Sequence, residues 1–119
     1  MIDQNIQSSS PLSISEIQMI EDTKLSILER HHLRWLAHCL ACFKDMAQGL
    51  NEGSLPNEEN RLKWCLAQPM LAKDHSFIPV LLDQFFGAAN QLESLANELG
   101  ITPLELTLRD LIQKVTFKI

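Results

Sequence analysis

The interval from Ser13 to Gln48 contains neither glycine nor proline, and this feature most restricts what the chain can fold into. Within it, apolar residues recur at steps of three or four, which places them on one face of an α-helix. Asp22 or Thr23 would cap a new helix well, so we expect a break there. The interval therefore predicts a short helix near residues 13–22 and a long second helix near residues 23–49. The stripe of the second helix, which runs on to Leu50, consists of Leu25, Leu28, His32, Trp35, Leu36, Cys39, Cys42, Phe43, Met46 and Leu50.

Short polar patterns indicate where the first helices begin and end. Ser13 stands three residues before Glu16, the spacing of a capping box, in which each side chain satisfies a backbone N–H at the helix start. A loop over residues 51–57 ends at Asn57, which is a good cap for a helix near residues 57–68. Pro69 ends or kinks that helix because it lacks an N–H and clashes with the preceding turn. Residues 69–76 follow no clear pattern.

The C-terminal third of the chain predicts two further helices. Ser76 is the expected cap of a helix near residues 76–99, and Gly100 supplies the left-handed residue that follows it. The run Thr102-Pro103-Leu104-Glu105 combines an N-cap, a first-turn proline and a capping-box glutamate. This combination predicts a last helix near residues 102–116.

Length and composition limit the chain to one domain. Its 119 residues are too few for two ordinary domains but enough to bury a core without staples. The composition is 45% hydrophobic and 21% charged, with only 4 glycines and no tyrosine, which argues against a sheet. We predict an all-α, single-domain bundle of four to five helices over residues 13–119, preceded by a flexible leader at residues 1–12.

Charge and cysteine content limit the partners and the compartment that this domain can have. The net charge of −5 disfavours a bulk electrostatic grip on nucleic acid or on an anionic membrane. Cys39, Cys42 and Cys65 all lie in apolar helical runs, and we interpret them as reduced core residues of a reducing compartment. The sequence shows no secretory signal and no apolar run long enough to span a membrane. These features favour a cytoplasmic protein.

His38 and Cys42 are the candidate metal ligands of this chain. They stand at positions i and i+4 of the long helix, so both project from one face about one turn apart. That spacing can supply two ligands to zinc, but closing the site needs Cys65, His75 or a partner chain. The alternative is that His31 and His38 lie at the polar flank of the apolar stripe and bind no metal. A metal-binding bundle is the third hypothesis, and we predict no cofactor.

The sequence offers little for catalysis. The cysteines lie in apolar stripes rather than in an electropositive cleft, where a thiol becomes reactive. Glu16, Glu58, Glu59 and Glu105 stand at helix starts, where they have structural roles. The four scattered glycines cannot build a phosphate-binding loop. We therefore predict that the chain is not an enzyme.

Residues 92–114 place Ala96, Gly100 and Leu106 at a characteristic spacing, with apolar flanks at Leu99 and Ile101. This pattern resembles the helix-turn-helix of bacterial transcription regulators. It implies DNA binding through the second helix of the motif, and the candidate contacts there are Thr107, Arg109 and Lys114. That helix begins without Arg, Lys, Gln or Asn to read base edges, which departs from the pattern. DNA binding is therefore the second hypothesis.

Large apolar side chains lead to the first hypothesis. Consecutive pairs such as Phe85-Phe86 and Trp35-Leu36 widen the stripes beyond what one neighbouring helix covers. A second subunit or another protein would cover the remainder, and we expect a homodimer. The leading prediction is a non-enzymatic helical module that binds another protein as a small regulator, adaptor or assembly factor. The predicted interaction residues are Trp35, Phe43, Trp64, Phe85 and Phe86.

Overall fold

The computed structural model of the chain describes residues 12–116, and in this range helices alternate with short loops and no strand occurs. This confirms the predicted all-α single domain. Most of the expected leader, residues 1–11, lies outside the described residues, and Leu12 is buried against the core. The described α-helices are α1 (Ile14–Glu21), α2 (Ile27–Met46), α3 (Glu58–Ala67), α4 (Pro69–Lys73), α5 (Ile78–Leu99) and α6 (Leu108–Thr116). Two 3₁₀ turns accompany them, His75–Phe77 before α5 and Pro103–Glu105 before α6.

The first two helices each begin with a capping box. The Ser13 hydroxyl accepts a hydrogen bond from the Glu16 backbone N–H at 3.1 Å, which confirms the predicted start. The prediction for α2 was wrong by about one turn, because Asp22 ends α1 instead of starting α2. The Asp22 backbone N–H donates to the Gln18 carbonyl, and α2 begins only after Ser26, which pairs with Glu29. Helix α2 ends at Met46, before the expected boundary near Gly49.

Two of the three helix boundaries predicted in the middle of the chain are confirmed. The side chain of Asn57 accepts a hydrogen bond from the Asn60 N–H at 2.9 Å and caps α3, as expected. Pro69 starts a new short helix, α4, where its missing N–H costs nothing. Ser76 does not cap α5 as predicted. It lies within the first 3₁₀ turn, because its own N–H and hydroxyl both donate to the Asp74 carboxylate.

The prediction of one continuous last helix near residues 102–116 was wrong. Thr102 and Glu105 form the expected capping box, but it closes only the second 3₁₀ turn. Leu106 then has an extended backbone with ψ of 143°, and Thr107 opens α6 by accepting a hydrogen bond from the Asp110 N–H. A residue of another helix stabilises this break, since the Lys44 ammonium of α2 donates a hydrogen bond to the Leu106 carbonyl. The predicted left-handed residue at Gly100 is confirmed, with φ of 72°.

Helix α2 is the centre of the bundle, and it packs against α1, α3, α5 and α6. Its Phe43 ring lies 5.3 Å from the Phe85 ring of α5, and the Trp64 ring of α3 lies 5.9 Å from Phe85 on an edge. The guanidinium of Arg61 lies over the Phe43 ring at 5.2 Å. Although Arg61 is buried, its Nε donates to the Pro56 carbonyl at 2.8 Å, so this polar atom is paired. We name Phe43, Arg61, Trp64 and Phe85 the aromatic cluster.

The neighbours Phe85 and Phe86 give a matched test of this core. Phe85 is fully buried, whereas 53% of Phe86 is exposed. Phe85→Ala should lower the free energy of unfolding by about 3–5 kcal/mol, because it removes a buried ring and leaves a cavity. Phe86→Ala should change it by no more than about 0.5 kcal/mol, as is usual for surface substitutions. Urea unfolding measures both, and equal losses in the two variants would contradict the packing described.

Candidate protein-docking surfaces

The five predicted interaction residues divide between the core and the surface. Phe43 and Phe85 are fully buried in the aromatic cluster, so no partner can reach them in the folded chain. Trp64 is half-buried and its indole N–H donates to the Asp45 carboxylate at 2.8 Å. Trp35 is half-buried beside the ring of His32. Phe86 is the one aromatic residue of this set that is exposed.

A larger group of exposed apolar side chains lies at the junction of α3, α4, the first 3₁₀ turn and the start of α5. These elements pack against one another, so the side chains that they expose lie on neighbouring parts of the surface. Exposure reaches 83% at Met70 and 61% at Phe77. Soluble domains seldom expose so many large apolar groups in one region without a binding function. We name this surface the apolar corner and define it by Leu62, Leu66, Met70, Phe77 and Val80.

Most of the apolar corner is free of charge, and the Lys63–Glu59 pair next to Leu62 on α3 is the exception. Residues 64–72 and 76–82 contain no charged side chain, and Lys73 and Asp74 between them cancel each other. Burying such a surface costs little desolvation, since charges are what water holds most strongly. The absence of charge was visible in the sequence. Met70 lies in residues 69–76, which follow no helical period, so it was not predicted as an interaction residue, and Phe77 was not among the five predicted residues either.

Local hydrogen bonds fix the backbone that presents the apolar corner. Asp74 accepts from both the N–H and the hydroxyl of Ser76, at 3.0 and 2.6 Å. These bonds stabilise the carboxylate and lower the pKa of Asp74 below its ordinary value. The turn they close places Phe77 directly before α5. The side chain of Gln68 donates to the Trp64 carbonyl at 3.0 Å and holds the joint between α3 and α4.

The part of the chain that the structure describes shows no metal-binding geometry at His38 and Cys42. Cys42 is buried, and burial is the main cause that raises its pKa to about 12, with Cys39, Asp45 and Cys65 adding to the effect. Burial also raises the pKa of Cys39 to about 12, and it lowers the pKa of His38. Within residues 12–116, no three histidine, cysteine or carboxylate side chains converge as metal ligands would.

Two of the three residues proposed for DNA binding bond to other side chains or to the backbone of this chain, and the third is exposed. Thr107 caps α6 through Asp110, and Lys114 forms an ion pair with Glu98 at 2.8 Å. Arg109 is exposed on α6. The segment that would enter a groove of DNA starts with a 3₁₀ turn and an extended residue, so it is not the continuous helix that such readout uses.

The family model described as NDH complex assembly factor CRR9 matches residues 12–118, nearly the whole chain. No curated protein and no solved structure matches the chain. The match lends no support to DNA binding or to metal binding. Among the helices of residues 12–116, none has the length and apolar character needed to cross a bilayer.

The three thiols give a test of the buried core. With a pKa of about 12, Cys39 and Cys42 hold on the order of one thiolate in 10⁵ molecules at pH 7. A thiol reagent should therefore label the folded chain very slowly at neutral pH and label all 3 cysteines at once in denaturant. Mass spectrometry counts the labels. Rapid labelling of Cys39 or Cys42 in the folded chain would contradict their placement.

Proposed function

The chain belongs to the family of the NDH complex assembly factor CRR9, and from this premise we propose that it is a non-enzymatic assembly factor that binds a protein component of the NDH complex through its apolar corner. The family supports a role in assembly and therefore protein partners. The surface that makes the contact is the part that the proposal adds.

The exposed apolar corner is the observation that carries this proposal. Met70 and Phe77 are the most exposed of its side chains, and both types are enriched at protein interfaces. Methionine is flexible and polarizable, so it adapts to the shape of an apolar partner surface. Phe77 adds a rigid ring, which buries a large area at a small entropic cost. Together they offer a partner one flexible and one rigid apolar side chain.

The lack of charge across the corner indicates the chemistry of the partner. A carboxylate or ammonium group placed against this surface would lose water and gain no opposite charge. The partner surface is therefore apolar and uncharged at its centre, with its charges at the rim. Lys73, Asp74 and the Lys63–Glu59 pair of α3 form the polar edge on this chain.

The remaining chemistry of the chain supports binding rather than catalysis. Its thiols are buried with raised pKa values, which keeps them protonated and unreactive. The carboxylates of Glu16, Glu29 and Glu105 accept backbone N–H bonds at helix and turn starts. These groups stabilise local structure, and we assign none of them a reactive role.

A second copy of the chain is the other occupant that suits an uncharged apolar surface. We retain the homodimer as a proposal and place its interface at the same corner, so that self-association and partner binding compete. Sedimentation of the purified chain tests this. A dimer that Met70→Asp dissociates would support it, and a monomer at all concentrations would contradict it.

Charge placed in the apolar corner should disrupt assembly. Met70→Asp and Phe77→Asp each put a carboxylate into the interface, and we expect roughly a tenfold or greater loss of partner binding. The level of assembled NDH complex, resolved on native gels from cells carrying each variant, should fall accordingly. Ile14→Asp on α1 is the matched control, since Ile14 is 68% exposed but lies outside the corner.

The control should leave the complex at its normal level. All three variant chains are compared at equal abundance, measured by immunoblot, so that degradation is not mistaken for lost binding. Full assembly with both Met70→Asp and Phe77→Asp would remove the apolar corner from the proposal.

A further inference from the structure

We propose that the thioether of Met70 is an oxidation site, at which a hydroperoxide such as hydrogen peroxide forms the sulfoxide in the free chain and so weakens partner binding at the apolar corner. The site itself follows from how far each sulfur-containing side chain is exposed. Its effect on partner binding rests on the proposed function of the apolar corner. The proposal adds a chemical signal to which that corner responds.

The thiols, which are the usual targets of a hydroperoxide, are shielded in the folded chain. Cys39, Cys42 and Cys65 are all buried in the core. Hydroperoxides react with the thiolate, and burial raises the pKa of Cys39 and Cys42 to about 12, so both thiols stay protonated at neutral pH. The oxidant must therefore react first with sulfur outside the core.

Methionine sulfur has no proton to lose, so its exposure decides how fast a dissolved oxidant reaches it. Met70 is 83% exposed, more than any other large apolar side chain of residues 12–116. Met19 on α1 is 43% exposed, and Met46 at the end of α2 is half-buried against the core. Among the methionines of the described range, Met70 is therefore the first to be oxidised.

The reaction transfers one oxygen atom and two electrons. The thioether sulfur attacks one oxygen of hydrogen peroxide, the O–O bond breaks, an S–O bond forms and water leaves. Sulfur gives up the two electrons that the peroxide accepts. Methionine sulfoxide is polar where methionine is apolar, and a dithiol-dependent sulfoxide reductase restores the thioether and releases the oxygen as water.

A sulfoxide at position 70 is unfavourable in the proposed interface. Its oxygen is hydrated in the free chain and loses that water when a partner covers the apolar corner. The apolar surface proposed for the partner offers no hydrogen bond in exchange, and a buried polar group without one weakens binding. In a chain that is already bound, the partner covers the Met70 sulfur. Oxidation therefore acts on the free chain and keeps it from entering assembly.

Peptide mapping by mass spectrometry tests the oxidation site on the full chain at neutral pH. With hydrogen peroxide, Met70 should gain one oxygen roughly fivefold faster than Met46 or more, and Met19 should react at an intermediate rate. In denaturant the three rates should become similar, which controls for intrinsic reactivity. Equal rates in the folded chain, or oxidation of Cys39 or Cys42 before Met70, would overturn the site.

Binding to assembly intermediates of the NDH complex, isolated from cells that lack the chain, tests the effect of the sulfoxide. The peroxide-treated chain should bind roughly tenfold more weakly than the untreated chain, and a sulfoxide reductase should restore binding. Met70→Leu is the matched control, because leucine is apolar, similar in volume and free of sulfur. This variant should bind normally both before and after treatment.

Two results would overturn the effect on binding: undiminished binding of the chain oxidised at Met70, or an equal loss in treated Met70→Leu. The cell-based variants Met70→Asp and Phe77→Asp distinguish this failure from failure of the proposed function. If they block assembly while the oxidised chain binds normally, the apolar corner stands and the oxidation switch falls. If they assemble normally, the corner and the switch both fall.

Discussion

The packing of Phe85 between Phe43 and Trp64 is the interaction on which the rest of this structure depends. It joins α2, α3 and α5, the helices that carry most of the core, through rings that lie 5.3 and 5.9 Å apart. The buried guanidinium of Arg61 is tolerated because it lies over the Phe43 ring and donates to a backbone carbonyl. With α3 fixed in this way, the short elements that follow it are held at the surface, and they form the apolar corner.

Local patterns predicted several helix boundaries correctly, although they failed at Asp22 and Ser76, where the competing hydrogen bonds are also local. The capping box at Ser13, the cap at Asn57, the helix break at Pro69 and the left-handed Gly100 were all predictable from residue type and spacing. The last helix was not, because distant partners decide its course. The Leu104 N–H donates to the Gly53 carbonyl, and the Gly53 N–H donates to the Thr102 hydroxyl. Together with the bond from Lys44 to Leu106, these contacts hold an extended residue where a helix would otherwise continue.

The candidate site was less accessible to sequence reasoning than the fold. Residue type alone cannot separate Phe85 from Phe86, since consecutive positions on a helix differ by about 100° and one ring is buried while the other is exposed. The apolar corner is made by side chains from four short or terminal pieces of structure, so no single helical stripe contains it. Its one sequence signal was the absence of charge over residues 64–72 and 76–82.

We propose that the apolar corner contacts a component of the NDH complex, and one measurement tests this contact directly. Hydrogen–deuterium exchange of the full chain, free and bound to assembly intermediates purified with it, measures this contact without any substitution. On binding, exchange should slow in residues 62–80 and stay unchanged in α1. Protection confined to α1, or unchanged exchange throughout residues 62–80 in the bound chain, would contradict it.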